Sequence, residues 1–246
     1  MADTHAAGGS VVAAGLLILL LSSQVVGVGA LAAASRRSAT RYVVLGLFGA
    51  AMGAVVFQVV HALEHVLQLG YWFGHARQPP WMTPWAMPAA HGFADLGGPS
   101  PMALGMELLH LVGNSIFLVG LVTLAILVKI CAPGSSAART TRIALWLQGL
   151  HLVEHVALTS TLVWAGRPIG LSTFFGLVDP GPLLWTYRVW WHFLINLVAT
   201  LLLLRAVRQF WPSWSYGRTL LDPLPGWAAK QHEPSSTPAV PRVPQR

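Results

Sequence analysis

Five long apolar stretches dominate the sequence and constrain its fold more than any other feature. They span residues 11–34, 42–69, 102–130, 143–165 and 183–207. Each has the length of about 20 residues that a transmembrane helix needs. Only 9% of the 246 residues are charged, whereas soluble domains contain about a quarter. The sequence therefore predicts an all-α integral membrane protein with five transmembrane helices.

The distribution of basic residues predicts the orientation of these helices. Lys and Arg accumulate in cytoplasmic loops, and 12 of the 15 in this chain fall on one side of a five-span arrangement. Arg77 and Arg167 lie on the other side, and Arg188 lies just inside the fifth span. This bias predicts an external N-terminus, a cytoplasmic C-terminus and a multi-pass protein of the cell membrane. The net charge of +7 is explained by topology and does not indicate a nucleic-acid partner.

The same stretches divide the chain into four parts. Residues 1–41 form an N-terminal helix and a basic turn, and residues 42–131 form repeat A, with the second and third spans and a long outer loop. Residues 132–207 form repeat B, with the fourth and fifth spans. Residues 208–246, rich in Pro, Trp and Ser, are predicted to be an interfacial or disordered cytoplasmic tail.

The two repeats are defined by a polar pattern that occurs twice inside the apolar stretches. Residues 58–66 read QVVHALEHV and residues 148–156 read QGLHLVEHV, which share Q-x-x-H-x-x-E-H-V. The span after each copy carries H-x-x-x-N, at 110–114 and at 192–196. Both two-helix units enter the membrane from the same side, so they predict a parallel repeat about an axis along the membrane normal. The four helices are expected to form a bundle around a polar site.

The spacing places the repeated polar residues on one face of each helix. At about 100° per residue, each nine-residue copy puts its four polar side chains within a sector of about 120°. Glu107 adds a Glu-x-x-His pair with His110, a spacing found in di-metal helical bundles. A charge at the bilayer centre costs about 2.5–3.5 kcal/mol, so three buried glutamates favour a bound cation. The predicted metal ligands are His61, Glu64, His65, Glu107, His110, His151, Glu154, His155 and His192.

Further roles follow from this ligand set. Four amide side chains are expected to fix the imidazole tautomers by hydrogen bonds, and they are Gln58, Asn114, Gln148 and Asn196. Glu64, Glu107 and Glu154 are the candidate catalytic residues. Two divalent transition-metal ions with a bridging hydroxide would balance the three carboxylates. Iron is the favoured metal, with zinc, copper and haem b as alternatives.

Such a site predicts a metal-dependent membrane oxidoreductase, of the monooxygenase kind, acting on a hydrophobic or lipid-soluble substrate. The H-x-x-x-H spacing, at residues 61–65 and again at 151–155, resembles that of histidine-rich membrane hydroxylases and desaturases. Their companion H-x-x-H-H box is absent from the sequence. No nucleotide or flavin fingerprint is present either, so a separate electron donor is expected.

Other functions stay open on the sequence alone. A b-type cytochrome would use the histidines as haem ligands. An intramembrane zinc hydrolase would use H-x-x-E-H, which is similar to the inverzincin motif, with Glu64 or Glu154 as general base. A metal transporter would use the same side chains as transient ligands. A polar packing network or a proton relay would need no metal.

Overall fold

All regular structure in the described part of the chain is helical. The computed structural model describes residues 3–37, 41–79, 81–97 and 100–214, and these residues contain six α-helices and no strand. The predicted all-α class is therefore confirmed. The helices are α1 (Asp3–Arg37), α2 (Arg41–Gly74), α3 (Met87–Ala94), α4 (Pro101–Cys131), α5 (Ser136–Ala165) and α6 (Pro182–Phe210).

The residues between the long helices explain where these helices begin and end. Proline stands in the first turn of α4 and of α6, where its missing N–H removes no helical hydrogen bond. The Ser135 hydroxyl accepts a hydrogen bond from the Ala138 amide at 3.3 Å and caps the start of α5. α5 ends at Gly166, whose φ of 69° is a left-handed conformation that glycine adopts without strain. A short polar turn thus separates α4 from α5, whereas a longer segment, residues 166–181, joins α5 to α6 and contains a 3-10 helix over Leu171–Gly176.

Four long helices form a bundle, and the other two cover part of it. The order around the bundle is α2, α4, α5 and α6, with α6 packing back onto α2. α1 packs against α2, α3 and α4, on the side of the bundle that repeat A forms. Gly120 lets α4 approach α2 closely, since a Cβ there would lie 2.0 Å from the Cβ of Ala54. The apolar core includes the fully buried Leu47, Leu127 and Phe210.

Four of the helices are long and apolar enough to cross a membrane. These segments indicate a multi-pass membrane protein, and they are Val11–Arg37, Tyr42–Gly74, Pro101–Cys131 and Pro182–Ser213. α5 is not among them, because many of its residues are polar. Its buried polar residues are Thr140, Thr141, Gln148, His151, Glu154, His155 and Thr159. The count of five spans and their orientation therefore stay predictions.

The outer loop between α2 and α4 contains a helix that the sequence does not specify. Trp81 and Trp85, spaced among prolines, predict an aromatic belt at the membrane interface rather than the alternative of a lid, and α3 begins two residues after Trp85. α3 packs against α4 so closely that a Cβ on Gly105 would lie 2.1 Å from the Ala90 carbonyl oxygen. An eight-residue helix is too short for its periodicity to identify it in the sequence.

The end of α6 also differs from the prediction. α6 continues to Phe210, whereas the predicted span ends at residue 207. After a 3-10 turn over Trp211–Ser213, Trp214 stacks on Phe48 of α2, with ring centres 4.1 Å apart. The first residues of the predicted tail therefore pack onto the bundle. The remainder of that tail, 215–246, lies outside the described residues.

Candidate functional site

Six histidines from four helices meet in the interior of the bundle. Neighbouring imidazole rings have centre-to-centre separations between 4.8 and 6.3 Å, so the rings form one continuous cluster. The structure thus brings together all the histidines that the sequence predicts as ligands. They are His61, His65, His110, His151, His155 and His192.

Repeat A supplies three of these rings, which we call triad A: His61 and His65 of α2 and His110 of α4. The ring centres of His61 and His65 are 4.8 Å apart, and their Nε2 atoms are 3.4 Å apart. His110 lies 6.3 Å from His61 and 5.7 Å from His65. One helical turn separates the two histidines of α2, so their rings face the same side of the helix.

Repeat B supplies the other three rings, which we call triad B: His151 and His155 of α5 and His192 of α6. His151 and His155 are 4.8 Å apart, and His192 lies 6.1 and 5.3 Å from them. Each separation is close to its counterpart in triad A. The two triads therefore have similar internal geometry, in agreement with the repeat in the sequence.

One ring nitrogen of His110 and one of His192 are held in the same way. His110 Nδ1 lies 2.7 Å from the Met106 carbonyl oxygen, and His192 Nδ1 lies 2.8 Å from that of Arg188. A carbonyl group only accepts hydrogen bonds, so each Nδ1 carries the proton and each Nε2 keeps a lone pair. Metal-binding histidines are oriented by this kind of bond. Backbone carbonyls, rather than the predicted amide side chains, thus fix these two tautomers.

The predicted amide side chains join the two repeats to each other. Gln148 of α5 donates through Nε2 to Oδ1 of Asn114 at 2.8 Å and to the Asn114 carbonyl oxygen at 3.1 Å. Gln58 of α2 donates to the Thr200 hydroxyl at 3.0 Å and to Asn196 Oδ1 at 3.5 Å. Each glutamine therefore bonds to a helix of the other repeat. These bonds hold the four helices around the histidine cluster.

The glutamates of the two patterns bind segments that connect the long helices. Glu64 accepts hydrogen bonds from the Thr83 amide at 3.0 Å and from the Thr83 hydroxyl. Glu154 accepts from the amides of Leu171 and Ser172 at 2.9 and 2.8 Å. Each glutamate precedes the second histidine of its pattern and lies about 100° from it around the helix. The structure thus uses these two predicted ligands to anchor the segments that follow α2 and α5.

Among the described residues, Glu107 is the glutamate that contacts the histidine cluster. Its Oε2 lies 3.5 Å from His155 Nδ1, and its Oε1 accepts from Arg188 Nη2 at 2.5 Å. The sequence predicts Glu107 as a ligand but gives Arg188 no role. Arg188 precedes His192 by one helical turn, and this spacing is the signal that places both on one face of α6.

Several polar atoms of the cluster have no hydrogen-bond partner within the described part of the chain. They include both ring nitrogens of His151 and of His155, Nε2 of His192 and Oε2 of Glu107. Buried polar groups are normally paired, because an unpaired group costs about 1–3 kcal/mol. In the same described ranges, no group of three or more His, Cys, Asp or Glu side chains is already arranged to hold a metal ion. The cluster therefore has the donors of a metal site without its closed geometry.

Two cavities reach the cluster from different sides. One has a volume of about 100 Å³ and is bordered by Glu107, Arg188, His110 and His192. The other has a volume of about 110 Å³, has mainly apolar walls and ends at His61 and His110. The first contains the Glu107–Arg188 ion pair in its wall, and the second has few polar groups besides Glu64 and the two histidines.

The two triads differ in exposure. In triad B, His151 is 1% exposed, and the other two histidines are also buried. In triad A, His65 is buried, but His61 and His110 are only half-buried. Triad A is therefore the more accessible half of the cluster.

The fold and the site together define an all-helical, multi-pass membrane protein with a buried cluster of six histidines. The chain belongs to the family described as "Family of unknown function (DUF6008)", whose model matches residues 1–218. This match includes all six helices and both triads. No curated protein and no solved structure matches the chain.

Proposed function

We propose that the protein is a metalloprotein of the cell membrane in which each triad binds one transition-metal ion. In this proposal it acts as an oxidoreductase, of the monooxygenase kind, on a lipid-soluble substrate and takes electrons from a separate donor. The observation that carries the proposal is the matched pair of histidine triads.

The spacing of the two histidines that share a helix in each triad suits coordination of an ion, and the third ring lies 5.3–6.3 Å from them. A metal–nitrogen bond of about 2.0–2.1 Å separates two donor nitrogens of a tetrahedral site by about 3.4 Å and their ring centres by about 5 Å. The Nε2 atoms of His61 and His65 are 3.4 Å apart, and the corresponding ring centres are 4.8 Å apart in both triads. In triad B, the ion would use the unpaired nitrogens of His151, His155 and His192.

The charges around the cluster also favour bound cations. Glu64, Glu107 and Glu154 bring three negative charges, and Arg188 brings one positive charge, so two negative charges are left within the bundle. These two charges belong to Glu64 and Glu154, whose hydrogen bonds to the connecting segments disperse them without neutralising them, and a net charge is expensive inside a membrane. Two divalent ions with small anions such as hydroxide would neutralise them, and so would two monovalent copper ions. Imidazole donors suit iron and copper alike, so both are candidates for a redox site.

The other functions that the sequence leaves open have less support. A haem needs a larger space, since cofactor pockets measure about 300–1,000 Å³ and the two cavities here measure about 100 and 110 Å³. A hydrolase would need a free carboxylate as general base, but Glu64 and Glu154 are hydrogen-bonded to loop amides. A transporter would favour interrupted helices at the site, whereas α2 and α5 run through it without a break.

The placement in the membrane extends to α5 in our proposal. The 30 residues of α5 span about 45 Å at 1.5 Å per residue, which exceeds the bilayer core of about 30 Å. Its outward face is apolar, with Ile143, Trp146, Leu150 and Val153 all more than half exposed. A helix with polar residues inside a bundle and apolar residues outside suits a lipid environment. Five spans with an external N-terminus then agree with the distribution of Lys and Arg.

Metal analysis with an absorption spectrum on the purified protein tests the proposed function. We expect two ions of iron or copper per chain and no haem Soret band. His61→Ala and His151→Ala should each lose the ion of their own triad. His75→Ala is the matched control, because His75 is exposed and stacks on Tyr71 outside the cluster. Protein with neither metal nor haem would contradict the proposal.

A further inference from the structure

The apolar cavity beside triad A has the features of a small-molecule site. It lies between α1, α2, α4 and the outer loop, and its walls include Leu17, Phe57, Leu109 and Trp85. Its lining also includes the imidazoles of His61 and His110 of triad A and the carboxylate of Glu64. An apolar chamber that ends at polar, half-buried rings is typical of ligand sites, in which a few polar groups meet a mainly apolar lining.

We propose that this cavity binds a small, uncharged, lipid-soluble molecule of about one six-membered ring and delivers it to triad A alone. The role of this molecule as a substrate rests on the proposed function, but the cavity itself does not depend on bound metal. A cavity of about 150 Å³ lined by apolar side chains is large enough for benzene. The volume of about 110 Å³ here limits the enclosed part of the ligand to a single ring.

The cavity offers no free charge to its occupant. Glu64 is the carboxylate that borders it, and both oxygens of Glu64 accept hydrogen bonds from Thr83, with a further bond from Gln68 at 3.2 Å. An anionic ligand would be repelled by this carboxylate, and a cationic ligand would have to displace its hydrogen-bond donors and give up hydration, which is unfavourable. An uncharged ligand avoids this penalty.

The position of the opening favours entry from lipid. Val60 belongs to the cavity wall and is 51% exposed on the outer surface of α2. The neighbouring surface of α1 is apolar, with Leu16 at 61% exposure. In the proposed membrane placement this seam between α1 and α2 faces the bilayer. A ligand that dissolves in lipid therefore reaches the opening directly.

One sequence position differs between the accessible triad A and the buried triad B. Gly113 lies beside the cavity, and a Cβ added there would meet His61 Cε1 and Phe57 Cζ at 3.8 Å. The matching position in H-x-x-x-N of repeat B is Ile195, and His151 is 1% exposed. The missing side chain at Gly113 leaves space next to His61, and the repeat places the larger Ile195 side chain at the corresponding position of α6.

Photolabelling tests this site. Full-length protein in lipid nanodiscs is irradiated with phenyldiazirine, with or without excess toluene, and the labelled peptides are mapped by mass spectrometry. We expect toluene to suppress labelling near His61 and Leu109, because a site saturates whereas contact with bulk lipid does not. Gly113→Ile should lower this labelling to the level of the lipid-facing surface, and Gly113→Ala should give an intermediate value.

Gly149→Ile is the matched control, because Gly149 has no atom within 4 Å of an added Cβ and lies on α5, away from the cavity. It should label like the unmodified protein. Labelling near His61 that toluene does not suppress, or that persists unchanged in Gly113→Ile, would overturn the inference. Metal content is measured on the same samples: toluene-sensitive labelling of metal-free protein would retain the cavity site and reject the proposed function. Bound metal without toluene-sensitive labelling would retain the proposed function and reject the cavity site.

Discussion

Triad A and triad B have nearly the same ring geometry in different surroundings. In both, the shortest ring separation is 4.8 Å, and the third histidine bonds through Nδ1 to a carbonyl one turn earlier. Triad B is buried, with His192 at the edge of one cavity, whereas His61 and His110 of triad A are half-buried and border two cavities between them. The arrangement of the donors follows from the repeated pattern. Access to them follows from residues outside the pattern, such as Gly113 and its counterpart Ile195.

The triads also differ in the group that faces the second histidine of each pattern. His65 Nδ1 lies 3.0 Å from the amide oxygen of Gln68, and His155 Nδ1 lies 3.5 Å from the Glu107 carboxylate. A carboxylate beside a ligating imidazole raises its basicity more than an amide does. We therefore expect triad B to hold its ion more tightly and triad A to be the half that reacts.

Removal of the Arg188 guanidinium should cause the largest loss of stability. Arg188 and Glu107 form an ion pair, and neither has a charged counterpart in the other repeat. Repeat A has Met106 where repeat B has Arg188, and repeat B has Val189 where repeat A has Glu107. Arg188→Met leaves the buried Glu107 without its partner, and we expect the free energy of unfolding to fall by about 3–5 kcal/mol. The double variant with Glu107→Val should recover most of this loss. Thermal unfolding in nanodiscs measures both, and a double variant as unstable as the single one would refute the ion-pair explanation.

Removal of the charge of Glu154 or Glu64, which bind connecting segments, should cause the next largest loss of stability. Glu154→Gln and Glu64→Gln keep the size of the side chain but remove the charge that binds the outer amides. We expect each to lower the free energy of unfolding by about 1.5–3 kcal/mol, the contribution of a hydrogen bond to a charged group. Limited proteolysis should then cut only the adjacent segment, residues 167–181 in the first variant and 75–86 in the second. Cleavage of both segments in either variant would argue against local anchoring.

The two triads should release their metal ions at different rates. A chelator added to the metal-loaded protein is expected to remove the two ions in two phases of equal amplitude, with rates that differ by about tenfold or more, because the surroundings of a site control its exchange. The fast phase should be absent in His61→Ala and the slow phase absent in His151→Ala. A single phase in the unmodified protein would mean that the two triads are equally accessible.

Loss of the bonds between the repeats should have the smallest effect. Gln148→Leu and Gln58→Leu preserve side-chain volume and remove one inter-repeat donor each, for an expected loss of about 0.6–2 kcal/mol. Gln148→Leu should cost more, since its two bonds measure 2.8 and 3.1 Å against 3.0 and 3.5 Å for Gln58. Unfolding midpoints of the two variants test this order, and a larger loss in Gln58→Leu would reverse it.

The histidine cluster could be predicted from the sequence because it depends on the periodicity of single helices. His61 and His65 are four residues apart, so they share a face whatever the helix packs against. The repetition of this spacing at His151 and His155 then requires that two such faces exist. The pairing of Gln58 and Gln148 with the opposite repeat follows from the same faces once the bundle closes.

The directions in which the glutamate side chains point could not be predicted, because they depend on the path of the loops that connect the helices. Glu64 stands at the edge of the polar sector of α2, and the donor it meets is the amide of Thr83, 19 residues later. No pattern in the sequence specifies where that amide lies. Arg188 was missed for a different reason: a single basic residue near the end of a span is more often an interfacial residue.

The composition of α5 has a consequence for biogenesis. If α5 crosses the bilayer as we propose, it is the span with the least apolar sequence, and α4 is joined to it by only a short turn around Ser135. Gln148 finds its acceptors on Asn114 of α4, so lateral release of α5 from the translocon is favourable only when α4 accompanies it. Insertion as a hairpin would therefore build half of the histidine cluster in the same step, and a chain that failed to assemble the cluster would also fail to keep α5 in the membrane.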